Sequence, residues 1–259
     1  MRIVVKVGTS TLAYANGRMN IRHVKELVEV LSDLKNAGHE VVLVSSGAIG
    51  MGVGKLGMRS RPSDMPSAQA AAAVGQCELM YNYDRLFSEW NHVPAQILVT
   101  GDDMKNPVRL RNFKNTIFRL LELGAVPVIN ENDTVATEEC SVGDNDTLAA
   151  LVAKSADADL LVLLSDIDGL YTADPRRDRD AKLISQVDKI TAKIEALAAG
   201  AGSSLGTGGM ATKIKAAKIA TKAGVEMVIA NGASPSVLYA IVEGESVGTR
   251  FVVKGSSNC

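Results

Sequence analysis

Short apolar runs typical of buried strands alternate along this chain with longer segments of helical periodicity. Between the first two runs, residues 20–40 place apolar side chains at helical spacing, with Asn20 as the N-cap and Gly38 at the C-terminal end. Strand–helix–strand units of this kind build parallel sheets. The sequence therefore predicts an α/β fold, a three-layer α/β/α sandwich with a mainly parallel central sheet. The predicted strands are residues 3–7, 41–44, 95–100, 126–129, 160–164, 226–230 and 250–253.

Further helices are predicted around the later strands, and no repeat or obvious linker divides the chain, so one compact unit is expected. Pro107, directly after Asn106, stands at a first-turn position. A cap is expected at Asp146 or Asn145 for the helix that begins near Thr147. The remaining predicted helices cover about residues 67–90, 191–199, 212–223 and 234–244.

Charge and cysteine content exclude several classes of protein. The 259 residues carry 28 Lys plus Arg against 29 Asp plus Glu, so no basic excess indicates a nucleic-acid partner. Cys77, Cys140 and Cys259 lie far apart, which gives neither a disulfide framework nor a zinc site. No apolar run is long enough for a signal peptide or a membrane span. We expect a soluble cytoplasmic protein with no membrane partner.

Polar and glycine-rich segments follow the predicted strands, where ligands bind in parallel sheets. Lys6 interrupts the first apolar run; it either reaches the strand end or directs its ammonium into a site, because unpaired burial is costly. Ser46 and Gly47 are placed to grip a small substrate. Asn130 and Asp133 belong to a polar turn suited to an amino acid ligand. The strand-end segments are residues 8–10, 45–50, 130–133, 165–169 and 231–234.

Two glycine-rich segments resemble nucleotide-binding loops. Residues 206–213, GTGGMATK, precede a predicted helix, whose free N–H groups favour an anion that Lys213 also reaches; a linker tip is the structural alternative. This is not a Walker loop, because Thr212 precedes the lysine and Ile214 follows it. Residues 52–57, GVGKLG, match G-x-G-x-x-G but do not directly follow a strand. They leave a nicotinamide-dependent oxidoreductase as a distant alternative.

Six motifs, in their order along the whole chain, resemble the amino acid kinase family. They are VVKVGTS, SSGAI, VPVINENDTVAT, VGDNDTLAAL, GLYTADPR and LGTGGMATK. The chain is most similar to the members that phosphorylate the side-chain carboxylate of L-glutamate, the first step of proline biosynthesis. The resemblance implies the amino acid kinase fold, ATP as co-substrate, Mg²⁺ as cofactor and proline as a feedback inhibitor. It assigns no magnesium ligands.

The resemblance also implies roles for individual residues. Lys6 and Lys213 would contact ATP phosphates, and Asp146 would hold both lysines. The expected glutamate-binding residues are Ser46, Gly47, Asn130, Asp133, Asp144 and Asn145. The expected ATP-binding residues, besides the lysines, are Ser165, Asp166, Thr207, Gly208, Gly209, Met210, Ala211 and Thr212. His23, His39 and His92 fall in or beside predicted helices and are expected to be surface or packing residues.

The family resemblance also implies a domain organisation and an oligomeric state, and it leaves alternative functions open. One kinase domain is expected over residues 1–259, with glutamate on the side of about 1–150 and ATP on that of about 151–259. Many members carry a C-terminal PUA domain; we expect a form without it, and a homodimer or homotetramer. A carbamate, acetylglutamate or uridylate kinase is the nearest rival, against which NENDTVAT and GDNDTLAA argue. A non-catalytic sensor is another, against which Lys6 and Lys213 count.

Overall fold

The computed structural model describes residues 1–14, 16–137, 142–175, 177–200 and 209–253, the side chains of 199 and 200 excepted. Within these ranges, eight strands form one sheet in the order β3-β4-β2-β1-β5-β7-β8-β6. The strands are β1 (Arg2–Val7), β2 (Glu40–Ser45), β3 (Pro94–Val99), β4 (Val126–Glu131), β5 (Leu160–Ser165), β6 (Gln186–Val187), β7 (Glu226–Asn231) and β8 (Thr249–Phe251).

The sheet is mainly parallel, as the alternating pattern predicts. β1 pairs in parallel with β2 and β5, and β5 pairs in parallel with β7. The predicted last strand, β8, runs antiparallel to β7. On its other side β8 pairs in parallel with β6, a two-residue strand that the sequence does not predict. A two-residue strand has too few positions to show periodicity, which explains why it was missed.

Helices connect the strands, and several of their ends differ from the predicted positions. The predicted cap at Asp146 or Asn145 is wrong, because the Asp144 carboxylate accepts the backbone N–H of Thr147. Asn106 caps the helix that begins at Pro107, as predicted. The helices are α1 (Thr9–Leu12), α2 (Ile21–Asn36), α3 (Ala48–Lys55), α4 (Met65–Ser88), α5 (Gly101–Lys105), α6 (Pro107–Glu122), α7 (Asn145–Ser155), α8 (Ala192–Gly200), α9 (Met210–Lys222) and α10 (Val237–Val242).

Apolar cores cover both faces of the sheet. Along β1, Val4 enters the core built with α6, α7 and α9, whereas Ile3, Val5 and Val7 enter the core built with α2 and α4. Alternate residues of a strand point to opposite faces, so a fully buried strand supplies both layers. Lys6 has the parity of Val4 and therefore faces α7 and α9. In the described part of the chain, no helix is long and apolar enough to cross a membrane.

Gly52, the first glycine of GVGKLG, has a packing role in the fold. α3 lies against α4 so closely that a Cβ on Gly52 would come within 1.8 Å of the Ala71 carbonyl oxygen. On α4, a Cβ on Gly75 would lie 1.7 Å from the Ala48 carbonyl oxygen. Close contact between the two helices therefore explains Gly52 without a dinucleotide.

Candidate active site

The candidate site lies where the sheet order changes direction. β1 and β5 are neighbours at the centre, with β2 on one side and β7 on the other. In doubly wound sheets the ligand crevice opens beyond the carboxyl ends of the strands at such a switch point. Lys6 stands near the end of β1, and Ser165 ends β5. The fold thus brings two predicted site residues from separate parts of the chain to one crevice.

A buried carboxylate joins Lys6 to Lys213. Lys6 Nζ lies 2.7 Å from Asp146 Oδ1, and Lys213 Nζ lies 3.0 Å from Asp146 Oδ2. The exposed fractions are 1% for Asp146, 3% for Lys213 and 8% for Lys6. Three catalytic residues predicted from β1, α7 and α9 are therefore in contact.

The two lysines keep Asp146 ionised. Burial alone would raise the pKa of this carboxyl, but the charges of Lys6 and Lys213, with hydrogen bonds from Lys6 and Thr212, bring it below its ordinary value. Together the two ammonium groups and the carboxylate carry one net positive charge. Charges interact strongly where water is largely excluded, so the cluster is suited to an anion at the crevice.

The described part of the predicted phosphate loop meets the same carboxylate. Gly209 is the N-cap of α9, and Thr212 Oγ1 lies 2.8 Å from Asp146 Oδ2 and 2.7 Å from the Gly209 carbonyl oxygen. Met210 is buried and Ala211 exposed. The N-terminus of a 13-residue helix offers free N–H groups to an anion. Thr207 and Gly208 lie outside the described residues.

Side-chain amides form a second cluster beside the lysines. Asn145 Nδ2 donates to Ser46 Oγ at 2.6 Å and to Asn130 Oδ1 at 3.1 Å, and lies 3.3 Å from the Ser45 carbonyl oxygen. Gly47, next to Ser46, is the N-cap of α3. Predicted glutamate-binding residues from β4, α7 and the β2–α3 turn are therefore brought together. Gln76 of α4, which the sequence did not indicate, bonds to Asn130.

The other two acidic residues predicted to bind glutamate have different surroundings. Asp144 accepts from the Thr147 N–H at 2.7 Å and the Thr147 hydroxyl at 2.8 Å, so its carboxylate caps α7. Burial, followed by the charge of Glu131, raises the pKa of Asp133 to about 6, and Arg61 opposes both. The contacts of Asp144 and Asp133 with a substrate stay predictions.

Two of the predicted nucleotide residues, Ser165 and Asp166, lie at the end of β5. Ser165 Oγ donates to Asp166 Oδ1 at 3.1 Å. Nearby, Asp168 accepts from Asn231 Nδ2 and from the Tyr171 hydroxyl, each at 2.8 Å. These two hydrogen bonds lower the pKa of Asp168 against the opposing effect of burial. The arrangement leaves polar groups on the β5 side of the crevice, away from the amide cluster.

The described residues contain no group of three or more His, Cys, Asp or Glu side chains that could cage a metal ion. Mg²⁺ at nucleotide sites commonly takes one or two carboxylates together with phosphate oxygens and water. The carboxylates of Asp166 and Asp168 at the crevice therefore fit a metal ion that arrives with a nucleotide. They do not fit an all-protein metal centre.

The fold and the buried lysine pair define a doubly wound α/β protein with two lysines and a carboxylate in contact at its switch point. The model of the amino acid kinase family matches residues 1–231, and the chain belongs to that family. Family membership confirms the predicted fold class.

Similar proteins support membership in the amino acid kinase family. The glutamate 5-kinase of Clostridium tetani (strain Massachusetts / E88) is 57% identical over 249 residues, which cover 96% of this chain and 93% of that protein. The glutamate 5-kinase of Clostridium perfringens (strain 13 / Type A) is 51% identical over 257 residues, with 98% and 96% covered. The glutamate 5-kinase of Caldanaerobacter subterraneus subsp. tengcongensis is 51% identical over 252 residues, with 97% and 68% covered.

A solved structure supports the fold alone. The isopentenyl phosphate kinase of T. acidophilum, crystallised as a product complex, superposes with a TM-score of 0.64 at 19% identity. The match covers 97% of this chain and 100% of that one.

Proposed function

We propose that this protein transfers the γ-phosphoryl group of ATP to the side-chain carboxylate of L-glutamate, giving L-glutamyl 5-phosphate and ADP in the first step of proline biosynthesis. One observation carries the proposal: Asn145 and Asp146, consecutive on the first turn of α7, belong to two different clusters. Asn145 joins the amide cluster with Ser46, and Asp146 holds the lysine pair. The two clusters are suited to an amino acid and to a phosphate.

The amide cluster and Asp133, three positions after Asn130 in the chain, offer groups for both ends of an amino acid. Ser46 Oγ accepts from Asn145, which leaves its own proton available for a substrate carboxylate. Asp133, when ionised, attracts an ammonium group. The relatives named glutamate 5-kinase, at 51–57% identity, favour glutamate over carbamate, acetylglutamate or UMP as the acceptor.

The reaction needs charge compensation more than proton transfer. The glutamate side chain, with a reference pKa of about 4.3, is ionised at neutral pH and needs no general base. One of its oxygens forms a bond to the γ-phosphorus while the bond to the β–γ bridging oxygen breaks, and that electron pair leaves on ADP. Lys6, Lys213 and the α9 N-terminus would stabilise the charge on the transferring group. Mg²⁺ bound with ATP would add to that neutralisation.

ADP release tests the proposal directly. The protein is incubated with ATP and Mg²⁺ and, in separate reactions, L-glutamate, aspartate, acetylglutamate, carbamate or UMP, with hydroxylamine to trap an acyl phosphate as a hydroxamate. ADP and hydroxamate with glutamate alone are expected. Turnover of another acceptor would keep the family and overturn the substrate. ATP binding without turnover of any acceptor would favour a sensor.

Further properties belong to the same proposal. Glutamate would bind on the side of residues 1–150 and ATP on the side of 151–259, within one cytoplasmic kinase domain that acts as a homodimer or homotetramer. Proline would inhibit by feedback. Light scattering on the purified protein measures the assembly, and titration of proline into the glutamate assay measures the inhibition.

A further inference from the structure

Gln76 is a buried glutamine on α4 that connects the amide cluster to the outside of the fold. Its exposed fraction is 7%. Gln76 Oε1 accepts from Asn130 Nδ2 at 3.0 Å, and Gln76 Nε2 donates to Gln96 Oε1 at 3.3 Å. Together with the bond from Asn145 to Asn130, these contacts form a continuous row of four amides, which we call the amide relay: Asn145, Asn130, Gln76 and Gln96.

The relay has one direction. At each step an NH₂ group donates outward to the carbonyl oxygen of the next amide, from Asn145 to Gln96. An amide has a donor end and an acceptor end, so fixing one end fixes the other. The Asn145 NH₂ donates to both Ser46 and Asn130. The Oδ1 of the same amide therefore points away from these two residues.

We propose that Gln76 is a positioning residue for glutamate binding, which sets the orientation of Asn145 through Asn130 so that Asn145 Oδ1 accepts from the substrate ammonium. The proposal rests on the proposed function and names a residue that acts on the acceptor amino acid and leaves ATP unaffected. Gln76 itself touches neither substrate.

Buried polar groups give Gln76 this control. Asn130 is 2% exposed. If its Nδ2 lost the Gln76 acceptor, a buried donor would be left unsatisfied, which is energetically unfavourable. Rotation of the Asn130 amide to avoid that cost would turn its NH₂ toward the NH₂ of Asn145. Two donors cannot bond to each other, so Asn145 would lose its fixed orientation.

The backbone around Gln76 is held firmly. Its neighbour Gly75 approaches the Ala48 carbonyl oxygen so closely that no side chain fits between α4 and α3. Ala48 is the first residue of α3 and lies two positions after Ser46 in the chain. The same helix contact therefore fixes Gln76 and the turn that carries Ser46.

The outer end of the relay is open to solvent. Gln76 and Gln96 line a groove of about 710 Å³ between α4 and β3, with Met80, Tyr81 and Pro94. Gln96 is exposed, so water can replace its hydrogen bonds. The orientation of the Asn130 amide therefore depends on Gln76, the last buried amide of the row.

Two substitutions test the proposal through steady-state kinetics. Gln76→Met keeps the length of the side chain and removes the acceptor; we expect KM for glutamate to rise about tenfold, with KM for ATP unchanged. Gln76→Glu keeps an oxygen for Asn130 Nδ2. When protonated it also donates to Gln96, and when ionised it accepts from a rotated Gln96 amide. We expect Gln76→Glu to bring KM for glutamate back to within about threefold of wild type.

Asn82→Met is the matched control. Asn82 is also on α4 and is similarly buried, but its amide donates to the Glu78 carbonyl oxygen of its own helix. We expect its KM for glutamate to stay within about twofold of wild type, and thermal unfolding verifies that each variant is folded.

Three results would contradict the relay. They are an unchanged KM for glutamate in Gln76→Met, an equal rise in KM for ATP, and a Gln76→Glu variant no better than Gln76→Met. With wild-type turnover of glutamate intact, any of these overturns the positioning role alone. A wild-type protein inactive on glutamate overturns the proposed function, and the relay proposal with it.

Discussion

The ammonium groups of Lys6 and Lys213 contact opposite oxygens of one buried carboxylate. Lys6 comes from β1 and Lys213 from α9, so Asp146 joins the two halves of the sheet at the crevice. The carboxylate and the two ammonium groups together carry one net positive charge, which attracts an anionic ligand. A phosphate placed there would be compensated by groups that are already fixed in position, which is the main contribution expected in phosphoryl transfer.

Lys213→Ala removes one of these charges and leaves the amide cluster unchanged. We expect kcat to fall by about 100-fold or more, as when one charge-stabilising donor is removed, while glutamate binding survives. Turnover is measured by ADP release, and glutamate binding by calorimetry. Lys218→Ala is the control, because Lys218 lies on the same helix and pairs with Glu195 at the surface. Equal losses of turnover and glutamate affinity in Lys213→Ala would contradict the assigned role.

Asp146→Asn keeps the shape of the side chain and removes the charge between the lysines. Breaking a buried ion pair from one side costs about 3 kcal/mol or more of unfolding free energy, measured by urea unfolding at pH 7. Because the pKa of Asp146 is lowered below 3.8, its stabilisation is fully present above pH 3.8 and is lost as the pH falls through the folded pKa.

The stability difference between wild type and Asp146→Asn should therefore stay constant between about pH 5 and 8 and shrink below about pH 4. Asp102→Asn, at an exposed carboxylate on α5, should change the unfolding free energy by less than about 0.5 kcal/mol. A similar cost at both positions would show that Asp146 does not stabilise the lysine pair.

The sequence predicts most of the strands and the convergence of polar residues at their ends, because both follow from local patterns. An apolar run such as 160–164 has few alternatives to a buried strand, and a lysine within the first run draws attention to Lys6. Parallel strands then place Lys6 and Ser165 at one edge without further information. The grouping of Lys6, Asp146 and Lys213 came from the family resemblance, since no local pattern joins residues so far apart.

Other features depend on contacts that no local pattern contains. Gln76 looks like any polar residue of an alanine-rich helix, and only the packing of α4 against β4 places its amide beside Asn130. Asp144 caps α7. The sequence does not single out this residue, because each of three adjacent acid or amide residues can cap a helix. The sequence does not predict α3, because glycines at 50, 52 and 54 lower helix propensity, although close packing on α4 requires the glycine at 52.

Asp133 predicts a pH dependence of glutamate binding. Its pKa is raised to about 6 by burial and by Glu131. In the proposed function, only the ionised form would attract the substrate ammonium. We expect KM for glutamate to rise as the pH falls below 6, by about tenfold at pH 5. Initial rates between pH 5 and 8 at saturating MgATP measure this rise.

Two variants separate Asp133 from other titrating groups. Asp133→Asn should have a high KM at every pH, without the rise below pH 6. Glu131→Gln removes a neighbouring negative charge, so the pKa of Asp133 should fall and the rise should begin at a lower pH. It keeps an oxygen for the Val142 N–H, which Glu131 binds at 2.6 Å. A pH profile unchanged by both substitutions would exclude Asp133 as its source.

Gly52→Ala tests whether the packing of α3 on α4 requires a glycine at position 52. The new Cβ would lie 1.8 Å from the Ala71 carbonyl oxygen, which belongs to the backbone and cannot rotate away. Separating α3 from α4 should cost about 3 kcal/mol of unfolding free energy, measured by urea unfolding. Gly50→Ala on the same helix is the control, because its Cβ would meet only a Thr9 methyl group at 3.4 Å. At position 50 the higher helix propensity of alanine should increase the unfolding free energy by up to about 1 kcal/mol. Equal changes in unfolding free energy at both positions would refute the packing role.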